Sequence, residues 1–298
     1  MREEAPNRRP VEVGRSRSAS KLEGSLKGRE GIKMRKNWTK ERLRNGGVVK
    51  GLALQQLRSA EIPRLLAATG FDYLFVDMEH GGFNLETVQD VVAAAGQAGI
   101  TPLVRVAELR YSLVARTLDV GAQGIIFPRV EDPELLREAI SWTRFPPLGM
   151  RGFGITPPQL DYQAVGMAEV MAHANAETMN VVQFETGRAL ERSDELLSVE
   201  GVDVAMIGPA DLSISLGMPG EFEHPRMVGA IETFIDACNA HGVVPGIHCR
   251  TAALAKPWLE RGMRLVGSGS EITLLLERAR EVVAELSVGE PRQGAARP

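Results

Sequence analysis

Eight short apolar runs, each followed by a stretch with helical spacing, organise this chain from residue 48 onward. The runs cover residues 48–54, 73–78, 102–106, 124–128, 181–184, 202–207, 244–249 and 264–267. They are continuous rather than alternating, the pattern of strands covered on both faces. Between them, Ile62, Leu65, Leu66 and Thr69 share one helical face, as do Val88, Val91, Val92 and Ala95. Leu276, Ala279, Val282, Val283 and Leu286 form the apolar face of a last helix. Gly70, Gly99, Gly121, Gly242 and Gly262 each follow a helical stretch, where a left-handed cap is common. Strand–helix alternation makes parallel βα units, and eight of them suit an α/β fold closed as a (β/α)8 TIM barrel. An open doubly wound sheet is the competing fold. The missing Gly-x-Gly-x-x-Gly after the first strand argues against it.

Composition serves mainly to exclude. The chain has 298 residues, 44% hydrophobic and 24% charged, an ordinary globular make-up with room for a large core. A net charge of -3 gives no basis for nucleic acid as a partner. No apolar run is long enough to span a bilayer, so no membrane is expected. Cys238 and Cys249 suggest no disulfide framework, and a reducing cytoplasm is the expected setting. Charge is uneven, however. Residues 1–33 carry nine Lys or Arg against five Asp or Glu, which leaves -7 on the remainder. With no aromatic residue and no apolar period, this stretch reads as a disordered basic leader over residues 1–36. Met34 opens a more ordinary start, so the leader reads as a gene-start artefact, with a basic regulatory arm as the alternative. The barrel is expected over 37–288 and a flexible tail over 289–298.

In such a barrel the chemistry sits at the carboxyl ends of the strands. Two acids stand out there. The fifth run leads into Glu185, and the sixth leads into Gly208-Pro209-Ala210-Asp211. An unpaired buried carboxylate is costly, whereas two from successive strands can share a divalent cation through oxygen ligands. The alternative for each is a helix cap or an arginine partner. Elsewhere on this rim the second strand ends in Asp77-Met78-Glu79-His80-Gly81-Gly82. The third delivers Arg105, the fourth Arg129, the fifth Gln183 and the seventh His248.

Several patterns now align in order: Gly-Phe-Asp-Tyr-Leu-Phe-Val-Asp-Met-Glu-His, Pro-Leu-Val-Arg-Val, Gly-Met-Arg-Gly, Gln-Phe-Glu-Thr and Gly-Pro-Ala-Asp-Leu-Ser. Over residues 46–285 the chain resembles the HpcH/HpaI aldolases, class II metal-dependent pyruvate aldolases. The resemblance implies a lyase that cleaves or forms a 4-hydroxy-2-oxo acid by way of a pyruvate enolate, with a 2-oxo acid and an aldehyde as its small-molecule partners. It implies Glu185 and Asp211 as ligands of magnesium or manganese, with cobalt a third option. It gives Arg105 the keto oxygen and the enolate, and His80 the proton of the aldol hydroxyl, with Asp77 orienting or tuning His80. Gln183 and the backbone at Gly208, Ala210 and Asp211 are expected to shape the pyruvate pocket. A homo-oligomer, hexamer or trimer, with a swapped terminal helix is implied as well.

Other residues carry weaker expectations. Arg105 has Asp77 or Glu79 as alternative structural partners. His248 reads equally as a pocket wall or as packing, and Arg151 as an anchor for the long connection over 145–178. Glu271 is expected to cap the final helix, and His173, His224 and His241 to be solvated. After Arg151-Gly152 the chain departs from the common family pattern, from Phe153 to Tyr162. This loop is expected to start on the active-site side and approach the far end of the substrate, which leaves the aldehyde open. Oxaloacetate decarboxylation passes through the same enolate and is the alternative activity. A catalytically silent oxo-acid sensor is the alternative of another class. A Schiff-base aldolase lacks a lysine at any strand end; Lys50 lies near the start of the first strand.

Overall fold

The computed structural model describes residues 34–160 and 162–287. Most of the expected leader, Asp161 and the expected tail lie outside the described residues. The eight runs become β1 (Val49–Leu54), β2 (Tyr73–Asp77), β3 (Thr101–Arg105), β4 (Gly124–Phe127), β5 (Met179–Phe184), β6 (Val204–Ile207), β7 (Val244–Cys249) and β8 (Leu265–Ser270). All neighbours pair in parallel, and β8 pairs with β1 to close the barrel. Around it lie α1 (Trp38–Arg44), α2 (Glu61–Ala68), α3 (Leu85–Ala98), α4 (Tyr111–Asp119), α5 (Pro133–Ser141) and α6 (Met167–Glu177). The rest are α7 (Gly187–Glu191), α8 (Ser193–Leu197), α9 (Pro209–Ser215), α10 (Pro225–Ala240), α11 (Ala252–Glu260) and α12 (Glu271–Leu286).

The continuous apolar runs fill two layers. Tyr73 and Phe75 point into the barrel with Leu103, Ile126, Val181 and Met206. Leu74 and Val76, one residue out of phase, join the larger core between sheet and helices. The inner layer dictates one glycine in particular. A Cβ on Gly51 would lie 2.1 Å from the Tyr73 ring, so only glycine lets that ring cross the barrel. Local signals set the helix ends. The Asn84 side chain accepts from the Thr87 amide to open α3, and Gly99, at a φ of 76°, closes it. The other four glycines expected to cap helices also have positive φ.

Three features differ from expectation. Helix α1 was not marked by any apolar period, yet it closes the amino-terminal end of the barrel with polar groups. Lys40 Nζ donates to the Thr178 carbonyl at 2.6 Å and pairs with Asp203 at 3.0 Å. Arg144 approaches the same carboxylate at 3.8 Å. Burial pushes the Lys40 pKa down to about 8, against the opposing pull of Asp203.

The second difference concerns the long connection, which lies far from the carboxyl ends. Helix α5 returns the chain to the other end before the loop begins. There Arg151 Nη2 donates to Asp119 at the end of α4 at 2.8 Å, and Gln159 Nε2 donates to the Leu118 carbonyl at 2.8 Å. Arg151 and Gln159 line a small cavity of about 110 Å3 with Gln123 and Thr178, which precede β4 and β5. Within one chain the loop therefore does not reach the site; Arg151 is the anchor it was expected to be.

The third is α12, whose apolar face does not sit on the core. Val283 is 63% and Leu286 81% exposed.

We predict that Asp203→Ala destabilises the protein by roughly 3–5 kcal/mol, because it leaves Lys40 and Arg144 buried without their counter-charge. Urea unfolding at neutral pH checks this. A loss below about 1 kcal/mol would show that the floor tolerates unpaired cations.

Candidate active site

The carboxyl ends of β2 and β3 bring two opposite charges face to face. Asp77 and Arg105 are paired in register across these strands. Both side chains are buried, and the guanidinium meets the carboxylate in a fork, Nε to Oδ1 at 2.9 Å and Nη2 to Oδ2 at 2.6 Å. Its remaining nitrogen, Nη1, lies 3.0 Å from Glu79 Oε2 and 3.4 Å from Gln183 Oε1. Phe75 lies beneath, with the guanidinium carbon 5.0 Å from its ring centroid. Burial pushes the Asp77 carboxyl up, but the hydrogen bonds and charge of Arg105, with the Gln55 side chain and the His80 amide, outweigh it. The net effect is a pKa below the ordinary value. Asp77 is thus the anion that fixes Arg105.

His80 follows in the same turn. Its ring is 56% exposed, and Nε2 stands 3.8 Å from Glu79 Oε2. Asp77 touches only the His80 backbone, accepting its amide at 3.2 Å. Asp77, expected to orient or tune His80, reaches it through the backbone, while Glu79 is the carboxylate near the imidazole. Glu79 Oε2 is buried and receives no well-directed hydrogen bond, despite its short distance to Arg105. Sequence reasoning gave Glu79 only a structural role. Its place between Arg105 and His80 follows from the turn after β2, which no spacing rule encodes.

On the opposite side, Glu185 follows β5 and is 2% exposed. Its Oε1 accepts the backbone amide of Arg129 at 2.8 Å. Arg129 has a φ of 50°, a left-handed conformation rare for a side-chain-bearing residue, and this aims its amide at the carboxylate. Gln183 Nε2 donates to the other oxygen. A Cβ on Gly208 would lie 2.9 Å from Gln183 Nε2 and 3.1 Å from Glu185 Oε2, so glycine keeps open the space beside that oxygen. Asp211 is in the first turn of α9 rather than in a loop. Burial raises the Glu185 pKa; the Arg129 amide opposes this, while the charges of Glu79 and Asp211 add to it.

A cation fits this donor set. A buried carboxylate with a second one near it, and an open space beside one oxygen, suit a hard divalent ion that keeps several waters or substrate oxygens. Glu185 and Asp211 are the residues able to hold it. Among the described residues, no group of three or more His, Cys, Asp or Glu is arranged around a common point.

One cavity of about 570 Å3 opens here, lined by His80, Arg105, Gln183, Gly208, Ala210 and Asp211 among others. Glu185 lies just behind this wall, screened by Gln183. His248 also lines it. Its Nε2 lies 3.0 Å from the Gly269 carbonyl, its ring meets the Phe75 ring edge-on at 5.2 Å, and its Nδ1 is buried without a partner. Burial, with help from Arg105, pushes its pKa down to about 4. It is a neutral wall residue.

The expectation for Glu271 needs correction too. Ser270 caps α12, whereas the Glu271 carboxylate reaches β1, accepting the amides of Gln55, Gln56 and Leu57 at 3.0, 2.5 and 3.0 Å. His224 accepts the Arg226 amide at 3.2 Å, and His241 pairs with Asp194 at 2.9 Å; both are exposed. His173 is half-buried, 2.9 Å from the Arg35 carbonyl.

Comparison with known proteins agrees with this arrangement. Residues 55–277 match the family described as HpcH/HpaI aldolase/citrate lyase. The chain belongs to that family. It is 36% identical to a 4-hydroxy-2-oxo-heptane-1,7-dioate aldolase of Salmonella typhimurium, over 87% of this chain and 98% of the relative. The crystal structure of an HpcH/HpaI aldolase from Desulfitobacterium hafniense DCB-2 superimposes with a TM-score of 0.79 at 32% identity, covering 87% of this chain and 98% of the other. A citrate synthase, SbnG, superimposes at 0.74 with 28% identity, covering 83% and 96%. HpcH/HpaI members are carbon–carbon lyases, and this chain is an enzyme of that type. Among the described residues no helix is long and apolar enough to cross a membrane.

The raised Glu185 pKa has a direct consequence. The folded state holds that proton more tightly than the unfolded chain does. Stability contributed by Glu185 is therefore present in acid and lost as pH rises through its folded pKa, above the ordinary carboxylate range. The metal-free protein should lose melting temperature over this window, and Glu185→Gln should lack that segment. Added magnesium or manganese should raise the melting temperature of the wild type more than that of the variant. Scanning fluorimetry across pH, with and without the ion, reads both. Equal shifts would remove Glu185 from the cation site.

Proposed function

We propose that this chain is a divalent-metal-dependent lyase that cleaves a 4-hydroxy-2-oxo acid into pyruvate and an aldehyde, or joins them in reverse. The observation that supports the proposal is a buried, doubly anchored Arg105 lining one cavity with Asp211, while Glu185 lies behind the same wall within electrostatic reach of both. Glu185 and Asp211 would hold magnesium or manganese. When bound, the ion supplies positive charge to the keto oxygen on which negative charge builds.

The remaining work belongs to the chain's own side chains. Arg105 directs its guanidinium at the same oxygen. Because Asp77 and Glu79 already fix it, little reorganisation is needed as the charge develops. Gln183 and the backbone at Gly208, Ala210 and Asp211 shape the pyruvate end. In cleavage, His80 takes the proton of the C4 hydroxyl, directly or through a water. The C3–C4 bond breaks, C4 becomes the aldehyde carbonyl, and the bonding electrons remain on pyruvate as its enolate. Protonation at C3 then gives pyruvate. An exposed imidazole beside Glu79 on the cavity wall suits this proton transfer.

A homo-oligomer, hexamer or trimer, is part of the same proposal. The exposed apolar residues along α12, among them Leu275, Val283 and Leu286, support it. A second reading, oxaloacetate decarboxylation, draws on the same arginine and acids without a C4 hydroxyl.

Exhaustive chelation should abolish aldol cleavage, and magnesium or manganese should restore it. Full activity in chelated protein shown metal-free by elemental analysis would end the proposal. His80→Ala should depress aldol cleavage by on the order of a hundredfold or more, as for loss of a positioned general base, and depress oxaloacetate decarboxylation much less. Equal losses in the two assays would withdraw the proton-transfer role of His80.

A further inference from the structure

The cavity is larger than its pyruvate end requires. At about 570 Å3 it falls among pockets that enclose drug-sized ligands. Arg105, Gln183 and Asp211 occupy one end. From His80 the lining continues past Gln55, Gly269 and Ser270, reaches the turn after β7, and runs on between α10 and α11. That course matters because the C4 substituent must leave the pyruvate end beside His80. Glu79 and Arg105 occupy the β2–β3 side, and the cavity continues in the other direction.

The far limb has a different chemistry from the near end. Its walls are Phe222, Met227 and Ile231 on one side and Leu254 and Trp258 on the other. Met227, Ile231 and Trp258 are buried, while Phe222 and Leu254 are partly open. Three charged side chains reach its rim. Arg261 lies 4.9 Å over the Trp258 ring and 3.4 Å from Glu232. Arg250 is exposed at the mouth, and so is Glu223 of opposite sign. An anionic substituent carried into the limb would lose its water against hydrocarbon, a large cost, whereas an alkyl or aryl group would gain by the same transfer.

We infer that this limb binds the arm of the aldehyde half, and that its natural arm is an apolar hydrocarbon chain or ring rather than one ending in a carboxylate. The inference rests on the aldol reading above. Phe222 and Leu254, at the entrance, are its specificity-determining residues.

The test is the condensation of pyruvate with a graded series of aldehydes in the presence of manganese: acetaldehyde, the unbranched aldehydes up to octanal, and carboxylate-ended aldehydes of matching length. With the wild-type enzyme, kcat/KM should rise by about fourfold per added methylene until the limb is filled. Carboxylate-ended aldehydes should fall at least tenfold below their apolar counterparts. Leu254→Asp should lower the ratio of octanal to acetaldehyde by tenfold or more. The ratio within one variant is read, so a partial loss of folded protein does not mimic the effect. A flat or falling series in the wild type, or a preference for the carboxylate-ended aldehydes, overturns the inference. So does an unchanged ratio in folded Leu254→Asp. Failure of every aldehyde, acetaldehyde included, would instead overturn the aldol reading itself, and this inference with it.

Discussion

A guanidinium at the end of a buried strand cannot stand alone. Arg105 is 6% exposed, and the cost of removing its charge from water must be met by anions placed with the right geometry. Parallel pairing of β2 with β3 supplies the first, since it sets Asp77 directly beside it. The turn after β2 supplies the second in Glu79. That turn is shaped by the same Asp77, whose Oδ1 accepts the amides of Glu79 and His80. One carboxylate thus fixes the arginine, the second anion and the backbone that carries the histidine. The site is a consequence of satisfying one buried cation.

The other half of the site is a region of excess negative charge. Burial raises the Glu185 pKa most, the charges of Glu79 and Asp211 add to it, and the Arg129 amide and the Arg105 charge offset it only in part. Gly208 withholds the one atom that would fill the adjoining space. On the proposed reading, a bound cation would offset the cost of keeping such a group buried. The left-handed backbone at Arg129 is a second local cost spent on the same carboxylate.

Much of this was legible in the sequence because burial on two faces leaves continuous apolar runs, and all eight runs became strands in the expected order. His80, Arg105, Gln183, Glu185 and Asp211 were legible as polar residues where those runs stop. What escaped has physical reasons. Helix α1 is held by Lys40, Thr39 and Asn37, polar residues whose burial no hydropathy pattern reports. The side of the barrel reached by the 145–178 connection depends on α5 running back before the loop starts, so loop length alone misassigned it. The exposure of α12 reverses an amphipathic signal that is real: the helix has an apolar face, but the core of this chain does not cover it. Glu79 and Glu271 were undervalued because their partners lie across the mouth and not along the chain.

Glu271 also bears on when the enzyme comes into being. Its carboxylate gathers three amides at the end of β1, more than two hundred residues earlier in the chain, beside the seam where β8 meets β1. Neither the seam nor this clamp can form until the last strand and the start of the last helix have been synthesised. Contacts between such distant segments are entropically late in folding. The growing chain can build βα units from its beginning, and Gln55 can meet Asp77 within the first two, but the barrel closes only once β8 has been made. A chain that stops before residue 265 therefore has neither the β8–β1 seam nor the Glu271 clamp.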